Sequence, residues 1–432
     1  MNNYLKGMMI LSLNTVILSA SGFKIAEQSL NSTAMNGANI ASANGADASY
    51  YNPANMAWMD KSAEIETAIM IRNYGNDKHE DHDPGFNGEA EAHNVYTPTF
   101  HYISKATSEN LRFGFSLVES GAISVKWGSP RQMLEAEDVN IRIMELNPTA
   151  SYKIHDKLAV GFGLRGVYTQ GAMKTRNESE ETLINGDLYQ NEINFDSIDV
   201  GYNLAVSYKP TRNLVFSSTY RSEVDLTVEG DAKGWTKDRL LDSNGDAKDE
   251  PLVNFNTSVS TQVALPATLS FATAYTMAES TGEITIEFVY ERTYWSSYDS
   301  LEFKFDDATV DRYFGSVAPR DWKDTTAYRV GGSFQATNDL KLMIGFALDE
   351  SPVPAENFSF ILPDSDAKLY STGFEYRVND DIKLGLAYQY KKREEVTIVN
   401  EPSTDSHETK PINGVFENSA DHLLLMSMSY IF

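Results

Sequence analysis

The sequence predicts an all-β fold, a 14-stranded antiparallel transmembrane β-barrel with an N-terminal plug inside its lumen. Three observations point there. Apolar residues alternate with polar and charged ones through most of the chain. The connections between strand-like segments alternate between long and short. The last segment has one apolar face and ends on Phe432. A wall with lipid on one side and a wet interior on the other requires the first, and an outer-membrane barrel has the second by construction.

Bulk composition agrees. Mean hydropathy is −0.37, too polar for a helical membrane protein, and no run of 18 apolar residues follows the N-terminus. The 61 acidic against 36 basic residues give a net charge of −25. Such a charge repels phosphate backbones and excludes nucleic acid as a partner. No cysteine is present, so disulfides and thiolate metal or redox sites are excluded. Aromatic residues make up 11%, with 23 Tyr, suited to rings at the membrane interfaces.

Residues 1–21 form an export signal. Lys6 supplies the positive end, Met8 to Leu18 the apolar stretch, and Ser19-Ala20-Ser21 the small residues for cleavage after 20 or 21. Residues 22–60 differ from everything after them. They are rich in Ala, Asn, Ser and Gly, and Pro53 within Asn52-Pro53-Ala54 blocks a regular element. Ile25, Leu30, Met35, Ile40, Tyr50, Tyr51, Met56 and Trp58 argue against a disordered tail. The segment is expected to fold back into the barrel formed by 61–432.

The alternation is clearest in four places. Val160, Phe162, Leu164 and Tyr168 oppose Gly161, Gly163 and Arg165. Ile284, Ile286, Phe288 and Tyr290 oppose Glu283, Thr285, Glu287 and Glu291. Leu340 to Leu348 repeats the pattern, as does Ile382 to Tyr390. Fourteen segments follow: 61–74, 95–105, 110–127, 139–154, 157–175, 193–209, 213–230, 252–277, 282–305, 325–336, 340–349, 367–378, 381–399 and 420–432. The number is even, as a single-chain barrel needs. A lumen of that width holds a channel, so something must decide what passes. In the last segment, Leu424, Met426, Met428 and Tyr430 precede Phe432 at period two. That ending resembles the signal read by the barrel-insertion machinery, which is an expected partner together with outer-membrane lipid and lipopolysaccharide.

Several motifs in order resemble the FadL/TodX family of long-chain fatty acid and hydrocarbon transporters. They are Gly22 to Gln28, Ala46-Asp47-Ala48 with Asn52-Pro53-Ala54, Tyr220 to Val224, Asp349 to Asn357, and Ile361-Leu362-Pro363-Asp364. The resemblance runs from about residue 22 to the end. It implies fourteen strands, an N-terminal hatch, an inner apolar pocket, and sideways exit where the third strand kinks.

It also implies site residues. Phe23 matches the hatch Phe whose ring occupies the inner pocket. A ligand carboxylate needs a cation in a low-dielectric pocket. The family's fifth-strand Arg falls at Thr175, between Lys174 and Arg176, and Arg176 is favoured. For the second cation Arg320 is nearest, with Lys323 in reserve. Glu119-Ser120-Gly121 falls at the kink, consistent with Gly inside a strand marking a bend. Asp349 resembles an acid near the hatch, and Asn52, Pro53 and Ala54 belong to the hatch itself.

Other signals carry less. Asp242-Ser243-Asn244-Gly245-Asp246 begins like a calcium loop, but position six is Ala247 and position twelve Val253. His79 and His82 lack a third ligand legible in sequence. No hydrolase, P-loop or dinucleotide fingerprint is present. No cofactor, metal or catalysis is expected. The expected function is passive uptake of long-chain fatty acids or similar hydrophobic molecules by a monomer. The alternatives are uptake of small aromatic hydrocarbons, or a surface adhesin or structural barrel.

Overall fold

In a computed structural model of the chain, residues 22–59, 62–177, 188–237, 239–241, 247–249, 252–279, 282–400, 412–417 and 420–432 are described. The expected export signal, turn residues 280–281 and the calcium-like start at 242–246 lie outside them.

Fourteen strands form one closed antiparallel sheet. They are β1 Glu64–Tyr74, β2 His93–Ile103, β3 Leu111–Lys126, β4 Asp138–His155, β5 Leu158–Asn177, β6 Leu188–Tyr208, β7 (Leu214–Arg221 and Val224–Lys237), β8 (Val253–Leu265 and Thr268–Glu279), β9 Gly282–Thr293, β10 Thr325–Gln335, β11 Leu340–Asp349, β12 Ala367–Arg377, β13 Ile382–Arg393 and β14 Asp421–Ile431. Each pairs with the next. β14 closes on β1 from Glu64↔Ile431 to Asn73↔His422, so the sheet has no free outer edge to aggregate.

Four expectations change in detail; the thirteenth segment ends at Arg393, short of residue 399, and Val396–Ile398 pairs in a separate small sheet. The seventh segment breaks at Ser222-Glu223 and the eighth at Pro266-Ala267. Pro266 has no N–H to give a ladder, so the strand cannot run through it. The ninth stops at Thr293, short of residue 305. A 3₁₀ turn at Trp295–Ser297 follows instead, and Trp295 and the flanking Tyr298 are buried there.

The outward face carries the apolar set. Phe162, Leu164, Ile198, Val200, Ile286, Phe288, Leu342, Ile344, Leu384 and Met428 are all exposed, as a lipid-facing wall requires. The inward face is lined by small and polar side chains, and residues 22–59 fill the space they leave. That segment comprises α1 Leu30–Ala34, α2 Ala48–Tyr51 and a 3₁₀ turn Pro53–Trp58, and nearly all of it is buried. Two inner-wall glycines show the closeness of fit. A Cβ on Gly345 would sit 2.3 Å from the Met35 carbonyl carbon, and one on Gly161 would sit 2.5 Å from the Ala54 nitrogen.

Buried polar contacts hold this segment, from Glu287 of the wall and from Asp47 and Asn55 within the segment itself. The Glu287 carboxylate accepts from Ile40, Ala41 and Ser42 N–H at 2.7, 2.8 and 2.8 Å. Asp47 Oδ2 accepts from Ser29, Asn31 and Asn39 side chains. Asn55 donates to the Ile40, Ala41 and Ala43 carbonyls. Hydrogen bonds to charged acceptors are about twice as strong as neutral ones.

Above the wall, the long connections form a cap. Lys78–Glu80 pairs with Gly88–Glu89 and with Gly414–Glu417, which pairs with Val396–Ile398. His79 lies inside it. Its ring nitrogens face the Asn413 carbonyl and the Gln132 amide, and Phe416 packs beside it.

Candidate functional site

β3 leaves its neighbour part-way along. β2 and β3 pair only from Phe100↔Leu117 to Ile103↔Gly114, although both strands run well beyond. On its other side, β3 follows β4 with a register shift between Glu119 and Gly121. The extra residue, Ser120, makes this a β-bulge, which bends a strand and disrupts its ladder locally. The gap is spanned by side chains. Thr97 of β2 donates to Glu119 of β3. His93 meets the Ser124 hydroxyl at 2.7 Å. Lys126 pairs with Glu91 at 2.7 Å. Glu119 also receives the Arg142 guanidinium.

The freed backbone of β3 is paired from inside. Ile25 N donates to Ser120 O and Ala122 N donates to Phe23 O, each at 3.0 Å, and Lys24 bridges Gly121. The first residues of the inner segment thus act as a short strand laid on the bulge. Gly121 has little room for anything larger, since a Cβ there would lie 3.1 Å from the Phe23 carbonyl oxygen.

This pairing aims Phe23 into an aromatic box. Its ring centroid lies 4.7 Å from Trp295, 5.9 Å from Trp322 and 6.2 Å from Tyr298. Ile143, Val167, Val224, Leu226, Val228 and Leu265 complete the apolar lining. Edge-to-face ring pairs add about 0.5–1.5 kcal/mol each beyond burial. Arg320 is buried and hydrogen-bonds the Tyr298 side chain. Burial raises the Tyr298 hydroxyl above its ordinary range while Arg320 acts in the opposite direction.

An ion chain anchors the next residue. Lys24 pairs with Glu291 at 2.5 Å, Glu291 with Arg329 at 3.3 Å, and Arg329 with Asp349 at 3.2 Å. Arg329 also donates to the Asn36 carbonyl. One step earlier, Gly22 N donates to Asp364 at 3.1 Å. Burial lifts the Asp364 carboxyl to about 7, against the pull of Lys391, Arg393 and the Gly22 N–H.

The residues singled out in the sequence fall into two groups. Phe23, Arg320, Glu119, Ser120, Gly121 and Asp349 converge on the box, the bulge and the ion chain. Asn52, Pro53 and Ala54 lie deeper, where Asn52 donates to Ile40 O, Ser207 and Ser217. Arg176 is not brought to the box. It pairs with Glu137 at 2.8 Å and contacts Met133 at the outer end of β5. Lys323 is exposed, and its backbone N–H donates to Pro352. Trp295, Tyr298 and Trp322 were not singled out, while Glu287 entered only as an alternating strand residue and Asp364 only as the end of a family motif. A run of aromatics directly after a strand, at Tyr294 to Tyr298, was the available signal.

A cavity lies between residues 22–27 and the wall, reaching Ala122 to Val125 of the released strand. A second, strongly polar cavity lies beneath the inner segment, lined by Glu64, Glu66, Lys341, Glu375 and Lys383 among others.

The chain matches the family described as outer membrane protein transport protein (OMPP1/FadL/TodX) over residues 11–432. It is 22% identical to a long-chain fatty acid transport protein of Escherichia coli O6:H1, over 72% of this chain and 73% of that one. It is 27% identical to a putative outer membrane protein of Neisseria meningitidis, over 44% and 41%. Among solved structures, a Pseudomonas aeruginosa FadL homologue superposes with TM-score 0.78 at 16% identity, covering 95% of this chain and 99% of that one. The toluene transporter TodX of Pseudomonas putida gives 0.68 at 19%, covering 94% and 98%.

Proposed function

The chain belongs to the OMPP1/FadL/TodX family of outer-membrane transporters of hydrophobic molecules, and from that premise we propose that it takes up long-chain fatty acids. The acyl tail takes the place of the Phe23 ring in the aromatic box, and Arg320 receives the carboxylate. Residues 22–59 act as a hatch. Displacing residues 23–25 strips two backbone hydrogen bonds from β3, and the ligand leaves sideways between β2 and β3.

The observation that carries this reading is the double role of Phe23. Its ring fills the box while its backbone pairs the released strand. A ligand that competes for the box therefore acts directly on the gap. The charged cavity beneath the hatch supports a sideways exit, because an acyl chain gains nothing by entering it. A ring-lined box also suits a small aromatic hydrocarbon, which is the second reading. Arg320 separates the two, since a buried cation favours an acid over a neutral ring.

The test is uptake of labelled oleate and of toluene by cells carrying the protein or lacking its gene. Arg320→Gln is expected to lower oleate uptake about tenfold, the worth of one charge-assisted hydrogen bond, and to leave toluene uptake unchanged. Oleate uptake equal in cells with and without the gene would rule out the fatty acid reading.

A further inference from the structure

The cavity between residues 22–27 and the released strand is rich in charge. Most of that charge is internally matched. Lys24 is held by Glu291, Asp349 by Arg329, and Glu91 by Lys126. Arg393 sits between Asp77 at 2.8 Å and Asp421 at 3.3 Å. Two cations remain. Arg72 faces the cavity from β1, and its one hydrogen bond is a 3.5 Å contact to the Tyr74 hydroxyl. Lys391 faces it from β13 and forms no ion pair among the described residues.

We propose that Arg72 and Lys391 form a carboxylate-binding station on the exit side of the aromatic box, which holds the headgroup of a long-chain acid while its tail enters the membrane. The proposal rests on the uptake reading above and extends it to the step after the box. A tail moving sideways into hydrocarbon gains about 0.8 kcal/mol for each CH₂ group buried. The tail therefore leaves first, and the carboxylate is the last part inside. An ionised carboxylate left unpaired in the wall would be costly. Two cations that line this cavity, neither in a salt bridge among the described residues, remove that cost. Two acids act on these cations from a distance, Glu27 on Arg72 and Asp364 on Lys391, without a salt bridge to either. Glu27 already accepts from Gln389 at 2.9 Å. Asp364 accepts from Gly22, and burial keeps its carboxyl partly protonated at neutral pH. A neutral hydrocarbon has no use for such a station.

The test uses the full-length protein purified in nanodiscs, titrated with dodecanoate and with dodecanol. The double variant Arg72→Gln, Lys391→Gln is expected to bind dodecanoate at least tenfold more weakly and dodecanol with unchanged affinity. Arg72→Lys with Lys391→Arg is expected to restore dodecanoate binding. In cells the same Gln variant is expected to slow oleate uptake and leave toluene uptake alone. Unchanged dodecanoate binding, or equal loss of both probes, overturns the station. So does a parent protein that binds dodecanol but not dodecanoate. Failure of the uptake reading is seen separately, as parent cells that import no oleate while the purified protein still distinguishes the two probes.

Discussion

Asp364 shows how one buried carboxyl couples the start of the hatch to the outer loops. It lies between the Gly22 N–H and the cations Lys391 and Arg393, yet burial outweighs them and lifts it to about 7. An unfolded Asp titrates near about 3.9. Between those values the folded state binds more protons than the unfolded one, so stability falls as pH rises through that window. The hatch end is therefore expected to be held more firmly at pH 5.5 than at pH 8. A maleimide-reactive Ala26→Cys reporter, in a chain otherwise free of cysteine, should label faster at the higher pH. Asp364→Asn should remove that difference. A pH dependence that persists in the Asn variant would assign it to another group.

The bulged strand is the element on which the proposed gate turns. Glu119-Ser120-Gly121 was legible because Gly inside a strand marks a bulge or a close approach, and here it marks both. What pairs the freed edge was not legible, because Phe23 and Gly121 are adjacent only once the barrel has closed around the hatch. Gly121→Val places branched carbons against the Phe23 carbonyl and Ile143. The variant is expected to lose the Phe23–Ala122 and Ile25–Ser120 hydrogen bonds and to label about tenfold faster at Ala26→Cys, the change expected from losing one to two net hydrogen bonds. Heat-modified electrophoretic mobility should stay that of the folded barrel. Labelling at the parent rate would mean the bulge tolerates a side chain and the close fit has no consequence.

At the scale of the whole molecule, the barrel and its filling differ in how they are held. The wall rests on a closed ladder of backbone hydrogen bonds. The filling rests on a few buried acceptors, of which Glu287 takes three consecutive N–H groups. Removing an acceptor that leaves buried donors unsatisfied costs about 1–3 kcal/mol per group. Glu287→Ala is accordingly expected to loosen the hatch while the wall stays folded. In planar bilayers its conductance should rise well above that of the parent. Equal, low conductance in both proteins would show that the polar anchors do not keep the lumen closed.

The strand count, the lipid face and the C-terminal strand were all written locally. A β-strand turns successive side chains to opposite faces, so alternation reports the wall wherever the chain is read. The inward glycines were legible too, and the structure supplies their reason in the backbone pressed against them. The site is different in kind. Gly22 meets Asp364 across 342 residues of chain, Lys24 meets Glu291, and Arg72 and Lys391 sit on β1 and β13. In sequence, Arg72 and Lys391 are ordinary polar positions of alternating strands, just as Arg176 is an ordinary candidate cation. Only closure of the barrel decides that Arg176 already has Glu137, that Arg320 reaches Tyr298, and that Arg72 and Lys391 face a shared cavity. Charge pairing depends on distance in space, and a barrel sets those distances by which strands become neighbours and what fills the lumen between them.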